Sequence, residues 1–112
     1  MCIFCKVVNK EIPAHLLFED DDLLAFFDFN PAAPTHVLVI PKRHVVSLGA
    51  TTEGDERLLG RLLLAARRVA EATGISETGY RTVINTGAQA GQSVFHLHMH
   101  VLGGRGLSWP PG

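Results

Sequence analysis

The sequence predicts an α+β fold in which five strands form one antiparallel sheet and a single long helix packs on one face. Two observations predict this class. Five short apolar runs have the length of strands, whereas only residues 55–73 carry a sustained helical pattern. Several links between the runs are shorter than the roughly twelve residues that a parallel crossover requires. The strands are therefore expected to be antiparallel.

Three strands are predicted in the first half of the chain. Leu16 to Glu19 and Leu23 to Phe29 flank an acidic turn at residues 20–22. The second of these strands is apolar almost throughout, which is typical of a strand in the middle of a sheet. The third strand, His36 to Ile40, stops at Pro41 because proline cannot donate to a ladder of hydrogen bonds.

Helical patterns occur at two places. Residues 3–9 are expected to form a short helical turn. The long helix over residues 55–73 is expected to start at Thr52 and Asp55 and to stop at Gly74. Its buried stripe consists of apolar residues that recur every three or four positions: Leu58, Leu59, Leu62, Leu63, Ala66, Val69 and Ala70.

The second half of the chain holds the last two predicted strands. Tyr80 to Asn85 forms the fourth strand, and Val94 to Leu102 forms the fifth. A glycine-rich loop at residues 87–93 separates them. Since no repeat or linker divides the chain, residues 1–112 are expected to form one domain.

The composition excludes several classes of function. Ten Lys and Arg stand against eleven Asp and Glu, so the basic excess of a duplex DNA-binding protein is missing. No apolar run approaches the roughly 20 residues of a membrane helix, and the N-terminal segment lacks the pattern of a signal peptide. We expect a cytoplasmic protein without a DNA or membrane partner. In a reducing compartment, Cys2 and Cys5 suggest a metal site or a redox pair.

Three of the six histidines alternate with apolar residues: His96, His98 and His100. Because alternate residues of a strand share a face, the three imidazoles are expected on one side, with Leu97 and Met99 in the core. Three interpretations follow. The histidines form a polar face exposed to solvent, or a metal centre, or a nucleophilic histidine whose neighbours set its tautomer.

The glycine-rich loop favours the nucleophile. Gly87, Gly91 and the small residues between them allow backbone amides to approach a ligand closely, and successive amides can form a nest for an anion. Ser93 adds a hydroxyl that can donate to a phosphate oxygen. A loop of this kind that leads into three histidines indicates a nucleophile facing a phosphate.

The segment from Gly91 to Arg105 resembles the histidine triad (HIT) family, whose signature is His-φ-His-φ-His-φ-φ with φ apolar. The resemblance covers nearly the whole chain, including Ala33 to His36, Val39 to His44 and the closing Trp-Pro-Pro-Gly. Ser93 and that ending are similar to the branch of histidine triad nucleotide-binding proteins. The resemblance implies a HIT-like fold, paired in a homodimer through the helix and a strand.

The resemblance also implies catalytic roles. His98 would attack the α-phosphorus of a nucleotide and form a nucleotidyl-histidine intermediate, which water then hydrolyses. One nitrogen of His98 would donate to a backbone carbonyl. His96 and His100 complete the triad, with His100 against the phosphate, and Ser93 would contact a phosphate oxygen or the leaving nitrogen. Asp28 would accept hydrogen bonds from the ribose hydroxyls.

The implied nucleotide is a purine nucleotide similar to AMP or GMP. Asn85 would hold its phosphate or 5′ region. The implied apolar slot for the base consists of Ile3, Phe4, Val7, Phe26 and Phe29. Periodicity alone assigns those five residues to the core. The remaining implied nucleotide-binding residues are Gly91, Gln92, Val94, Ser93, His98 and His100.

Cys2-x-x-Cys5 is similar to a feature of some bacterial members of the family, in which it binds zinc. By that resemblance the zinc ligands would be Cys2, Cys5, His44 and His96. A closed set of nitrogen and sulfur ligands is typical of a structural zinc site. In the competing interpretation the cysteines are small core residues and His44 bonds to a backbone group.

Three functions remain open at this point. The first is a hydrolase that cleaves nucleoside 5′-phosphoramidates or acyl-nucleotidates through His98. The second is a regulatory module that binds nucleotides and has vestigial hydrolysis. The third is a hydrolase that uses a metal at the triad itself, which would require a carboxylate or a further histidine beside the triad. None lies in the local sequence.

Overall fold

The computed structural model describes residues 2–112. The elements in chain order are helix α1 (Ile3–Val8), strands β1 (Leu16–Glu19), β2 (Leu23–Phe27) and β3 (Thr35–Pro41), helix α2 (Glu56–Thr73), and strands β4 (Tyr80–Val83) and β5 (Met99–Gly103). The strands form one sheet in the order β1-β2-β3-β5-β4, and all neighbours are antiparallel. The predicted α+β class is confirmed. No helix in the described range is long and apolar enough to cross a membrane.

The two helices cover opposite faces of this sheet. The core under α2 includes Val69 with Val39 and Met99 from β3 and β5. The core under α1 includes Phe4 and Phe26. Because successive residues of a strand point to opposite faces, a central strand between two cores is apolar at every position. This explains why the β2 and β3 sequences carry so little alternation.

Helix α2 begins and ends close to the predicted positions. Thr52 and Asp55 form a capping box, in which the Thr52 backbone N–H donates to the Asp55 carboxylate at 3.0 Å. Residues 53–55 form a short 3-10 turn, so the α-helix starts at Glu56. Gly74 ends it with a positive φ of 77°, a conformation that favours glycine.

Three predicted strands are shorter in the structure. The second ends at Phe27, the fourth ends at Val83, and the fifth begins at Met99 instead of Val94. The fifth strand differs most from its predicted length, because a backbone group before Met99 forms a hydrogen bond outside the sheet. The Leu97 N–H donates to the Val45 carbonyl at 2.6 Å, outside the sheet. Residues 94–98 are therefore irregular backbone that leads into β5.

Candidate active site

The triad enters the sheet from this irregular segment. Leu97 and Met99 lie in the core under α2, whereas the His98 ring packs against Phe4 of the core under α1, so the predicted alternation holds although only the last triad residue lies in β5. Leu97 and Met99 are 1% and 0% exposed. His96 and His98 are buried as well, at 0% and 5% exposure, and His100 is half-buried. A solvent-exposed polar face therefore does not describe these histidines.

His98 is held in one tautomer. Its Nδ1 lies 2.7 Å from the backbone carbonyl of His96, so Nδ1–H donates and Nε2 carries the lone pair. The ring of Phe4 packs edge-on against the imidazole with 5.1 Å between the ring centroids. The His100 ring lies 5.1 Å away on the other side. His98 thus has Nδ1 committed to the His96 carbonyl, and Nε2 is the nitrogen outside that hydrogen bond.

One flank of His98 is a thiol–imidazole cluster, formed by Cys2, Cys5, His44 and His96. The ligand atoms of these four side chains all lie within 4.8 Å of one another. Nδ1 of His96 is 3.4 Å from Sγ of Cys2 and 3.2 Å from Nδ1 of His44. Sγ of Cys5 is 3.3 Å from Nδ1 of His44 and 3.6 Å from Nδ1 of His96. Nδ1 of His44 therefore faces the thiols, unlike the competing interpretation in which it bonds to a backbone group.

The donor set of this cluster fits a tetrahedral zinc ion. Bonds of about 2.3 Å to sulfur and about 2.0–2.1 Å to nitrogen place neighbouring ligand atoms roughly 3.3–3.8 Å apart. The four distances given above lie at or near that range. Nε2 of His96 donates to the Pro41 carbonyl at 2.8 Å, which leaves Nδ1 free to act as a ligand.

The other flank is an imidazole–carboxylate cluster of Asp28, His36 and His100. The Ala32 N–H donates to Nδ1 of His36 at 2.9 Å, so in the neutral ring the proton lies on Nε2. That Nε2 is 2.8 Å from Nδ1 of His100 and 3.4 Å from a carboxylate oxygen of Asp28. Nδ1 of His100 consequently accepts, and its own proton lies on Nε2.

Burial keeps both imidazoles of this second cluster neutral. It lowers the pKa of His100 to about 4, and the charges of His98 and His36 act in the same direction. Burial also lowers the pKa of His36, against an opposing effect of Asp28. At neutral pH the hydrogen bonds therefore all run in one direction: the Ala32 N–H donates to His36, and His36 donates to His100.

The fold brings together residues that the local sequence could not place. The sequence next to the triad contains no carboxylate or further histidine, yet Asp28 and His36 lie beside His100, contributed by other parts of the chain. A metal at this position is nevertheless a poor fit, because the His36 proton occupies the space between the two imidazoles. No local sequence pattern predicts a role for His36. The register between β3 and β5 is what reveals its position. Leu38 pairs with His100, and His36 lies two residues before Leu38 on the same face of the sheet.

The glycine-rich loop adopts the backbone conformations that its glycines allow. Gly87 and Gly91 have positive φ values of 86° and 90°, on either side of a 3-10 turn at Ala88–Ala90. Ser93 is exposed, whereas Gln92 is buried. Asn85 is half-buried and continues from β4 beyond the pair of Val83 and His100, toward the start of β5.

The residues of the implied purine slot divide into two groups. Phe4, Val7 and Phe26 are buried in the core under α1, as periodicity suggests. Ile3 and Phe29 are 45% and 62% exposed. Val94, also named for the nucleotide, packs half-buried against the same core. Only the exposed pair presents substantial apolar surface to solvent.

The fold and the site define an α+β protein with a histidine triad, two of whose imidazoles are buried, preceded in sequence by a glycine-rich loop. The model of the HIT domain matches residues 9–107, and the chain belongs to the HIT family. An uncharacterised HIT-like protein of Synechocystis sp. is 56% identical over 110 residues, which are 98% of this chain and 96% of that protein. The matched range begins after Cys2 and Cys5, so both thiols lie outside the part that the family model covers.

Solved structures of relatives share the whole architecture. A HIT family hydrolase from Legionella pneumophila has 48% sequence identity and a TM-score of 0.98, and the comparison covers 100% of both chains. A histidine triad protein from Clostridium difficile has 42% identity and a TM-score of 0.92, covering 96% of this chain and 93% of that one. The HIT-like fold expected from the triad is confirmed.

Proposed function

We propose that this protein is a hydrolase that cleaves nucleoside 5′-phosphoramidates or acyl-nucleotidates through a covalent intermediate on His98. The observation that carries the proposal is the fixed tautomer of His98, whose Nδ1–H donates to the His96 carbonyl at 2.7 Å. A regulatory module that only binds nucleotides does not require such a nucleophile. The relationship to proteins described as HIT family hydrolases supports the same class of reaction.

In the first step, Nε2 of His98 attacks the α-phosphorus. A bond forms between phosphorus and Nε2, and the bond from phosphorus to the leaving nitrogen or oxygen breaks. Its electron pair departs with the leaving group, which takes up a proton from solvent while the Ser93 hydroxyl donates a hydrogen bond to it. The positive charge that develops on the His98 ring is stabilised by the His96 carbonyl.

His100 has a separate role in this scheme. Its proton lies on Nε2, because His36 donates to Nδ1, so His100 offers a hydrogen-bond donor to a phosphate oxygen. In the second step, water attacks phosphorus and releases a proton to solvent, and the bond from phosphorus to His98 breaks with its electron pair returning to Nε2. The products are a nucleoside monophosphate and the free, neutral imidazole.

The nucleotide is proposed to be a purine nucleotide similar to AMP or GMP. Asp28 would accept from the ribose hydroxyls, and Asn85, the Val94 amide and the backbone turn at Gly91 and Gln92 would surround the phosphate. The N–H groups of Gly91 and Gln92 shape this turn, since they donate to the Ala88 and Gly87 carbonyls. One Asp28 oxygen already accepts from the Asn30 N–H at 2.8 Å, which fixes the carboxylate for this purpose. The exposed side chains of Ile3 and Phe29 would contact the base, backed by the buried slot residues.

We propose zinc as a structural ion in the thiol–imidazole cluster. It would be held by the two thiolates and by Nδ1 of His44 and His96, in a cytoplasmic location where thiols stay reduced. When bound, zinc would tie α1 to the segment after β3 and to the triad, without an open position for chemistry. Phe4, which packs against His98, lies between the two cysteines in sequence.

We also propose a homodimer. Strand β4 lies at one edge of the sheet, and Leu63 and Leu64 on α2 are 56% and 60% exposed. An unpaired edge and two exposed leucines are features that association between copies would cover. Light scattering should give twice the chain mass of 12.2 kDa. A stable 12.2 kDa species at micromolar concentration would contradict the dimer.

The experiment that tests the hydrolase is a trapped intermediate. Adenosine phosphoramidate is mixed with the protein, the reaction is quenched, and the peptides are weighed by mass spectrometry. An AMP adduct is expected on His98 and on no peptide of His98→Ala. Binding of AMP without an adduct and without turnover would favour the regulatory module instead.

A further inference from the structure

Gln92 is a buried polar residue in an otherwise exposed loop. Its side chain is 5% exposed, whereas Gln89, Gly91 and Ser93 around it are exposed. A buried carboxamide requires hydrogen-bond partners, since leaving one without them costs about 1–3 kcal/mol. The partners of Gln92 show what this side chain does.

The first partner closes the loop. Oε1 of Gln92 accepts from the Gly87 N–H at 2.9 Å, and the Gln92 N–H donates back to the Gly87 carbonyl at 3.1 Å. The two residues are therefore joined twice, across the 3-10 turn that carries the small exposed residues. The Gln92 side chain thus supplies the acceptor for the Gly87 N–H that a backbone carbonyl of a neighbouring strand would supply in a sheet.

The remaining partners attach the loop to the rest of the protein. Nε2 of Gln92 donates to the Val46 carbonyl at 2.8 Å and to the Val94 carbonyl at 3.2 Å. Both of its N–H groups and one acceptor position are thus used inside the protein. The carboxamide has no N–H left for a nucleotide, although the Gln92 backbone remains near the loop surface.

The residue next to Val46 is also hydrogen-bonded to the triad segment. Val46 follows Val45, whose carbonyl accepts from the Leu97 N–H at 2.6 Å. The irregular backbone that carries Ser93 and His96 is therefore attached to Val46 at its Gln92 end and to the adjacent Val45 at its Leu97 end. This segment lies outside the β-ladder, so these attachments replace the order that a strand would supply.

We propose that Gln92 is a positioning residue for hydrolysis. Its carboxamide closes the glycine loop, anchors it to Val46, and thereby sets the place of the Ser93 hydroxyl relative to His98. This inference rests on the proposed hydrolase function. Because a small misplacement of a reacting group costs up to about 100-fold in rate, loss of the carboxamide should affect turnover more than nucleotide binding.

The test uses Gln92→Met, which keeps the length of the side chain and removes its polar atoms. The matched control is Gln89→Met, an exposed glutamine in the same loop. With adenosine phosphoramidate, Gln92→Met should lower kcat about 10- to 100-fold and change KM by less than about threefold. The control should retain the kinetics of the unmodified protein.

A double-mutant cycle separates positioning from a general loss of stability. If Gln92 acts through Ser93, Ser93→Ala should cost much less in the Gln92→Met protein than in the unmodified protein. Additive costs, or an unchanged kcat in Gln92→Met, would overturn the proposal. Gln92→Glu supplies the same cycle where the methionine variant does not fold, since it keeps an acceptor for the Gly87 N–H and loses both donors.

Amide hydrogen exchange provides a readout that needs no turnover. In Gln92→Met, the amides of residues 87–94 should exchange faster, while those of α2 stay as protected as before. Unchanged exchange in the loop would also overturn the proposal. Failure of the hydrolase function itself has a different result, because the unmodified protein and His98→Ala would then release AMP at the same rate.

Discussion

The thiol–imidazole cluster and the imidazole–carboxylate cluster flank His98, and they use histidine in different ways. In the first, the His96 proton is on Nε2 and points away to the Pro41 carbonyl, so the nitrogen that faces the cluster is a lone pair. In the second, the His36 proton is on the nitrogen that faces the cluster. Each cluster contains two imidazoles. One backbone group in each, the Pro41 carbonyl or the Ala32 N–H, decides whether a lone pair or a proton faces the cluster.

This difference shows why a set of close histidines is not by itself a metal site. The Ala32 N–H fills Nδ1 of His36 and so places a proton between His36 and His100. A cation there would compete with that proton. The Pro41 carbonyl acts in the opposite sense on His96 and exposes a ligand atom. Substitutions in the two clusters are therefore expected to have different effects on metal binding and on stability.

The largest expected effect is on His98, which lies between the clusters. His98→Ala should lower turnover about 1,000-fold or more, because the nucleophile of the covalent step is lost. AMP affinity should stay within about tenfold, since few ground-state contacts are removed. Steady-state kinetics and calorimetry measure the two effects. His15→Ala, at an exposed histidine, is the control. Substantial residual activity in His98→Ala would assign the nucleophile elsewhere.

The two clusters should differ next in metal content. His44→Gln should lose zinc, and its melting temperature should fall by about 10 °C, because binding energy at a structural site adds to folding stability. His36→Gln, the matched substitution in the other cluster, should keep one zinc per chain. Metal analysis and thermal unfolding measure both. Equal zinc content in the two variants, or no zinc in the unmodified protein, would remove the distinction.

A smaller difference should appear as pH falls. His100 binds a proton near pH 6.5 in the unfolded chain and only near a pKa of about 4 when folded. The unfolded state therefore holds more protons between these values, and the free energy of unfolding falls as the pH drops from about 6.5 toward 4. After allowance for partial exposure, the loss should be on the order of 2 kcal/mol.

Urea unfolding at a series of pH values measures this slope. His100→Gln should flatten it, and His15→Gln, at an exposed histidine outside both clusters, is the matched control. Loss of zinc in acid affects all three proteins equally, so the comparison between them isolates His100. A slope that is the same with and without His100 would show that this imidazole is not held neutral by the fold.

The sequence predicted the parts of this molecule that follow from local patterns. The three- and four-residue period placed α2, the capping pair Thr52 and Asp55 set its start, and alternation correctly buried Leu97 and Met99. These features depend on neighbours in sequence. The same alternation suggested a strand from Val94, which the structure does not form.

The other features depend on tertiary contacts. His36 meets His100 because of the register between β3 and β5, and no local pattern contains that register. Likewise, Gln92 is buried because the Val46 carbonyl is within reach, 46 positions away in sequence. The resemblance to the HIT family supplied the thiol–imidazole ligand set, since Cys5 and His44 are 39 positions apart.

The smallest expected effect concerns Ser93, which lies outside both clusters. Ser93→Ala removes one hydrogen bond to the phosphate or the leaving group and leaves the nucleophile in place, so the cost should be about tenfold in kcat. The cost should be larger for phosphoramidates with poor amine leaving groups, because they depend most on the hydroxyl. A series of such substrates measures the trend. Ser93→Thr, which keeps the hydroxyl, should recover part of the rate. A cost that is the same for every leaving group would instead place the hydroxyl on a phosphate oxygen, where its contribution does not depend on the bond that breaks.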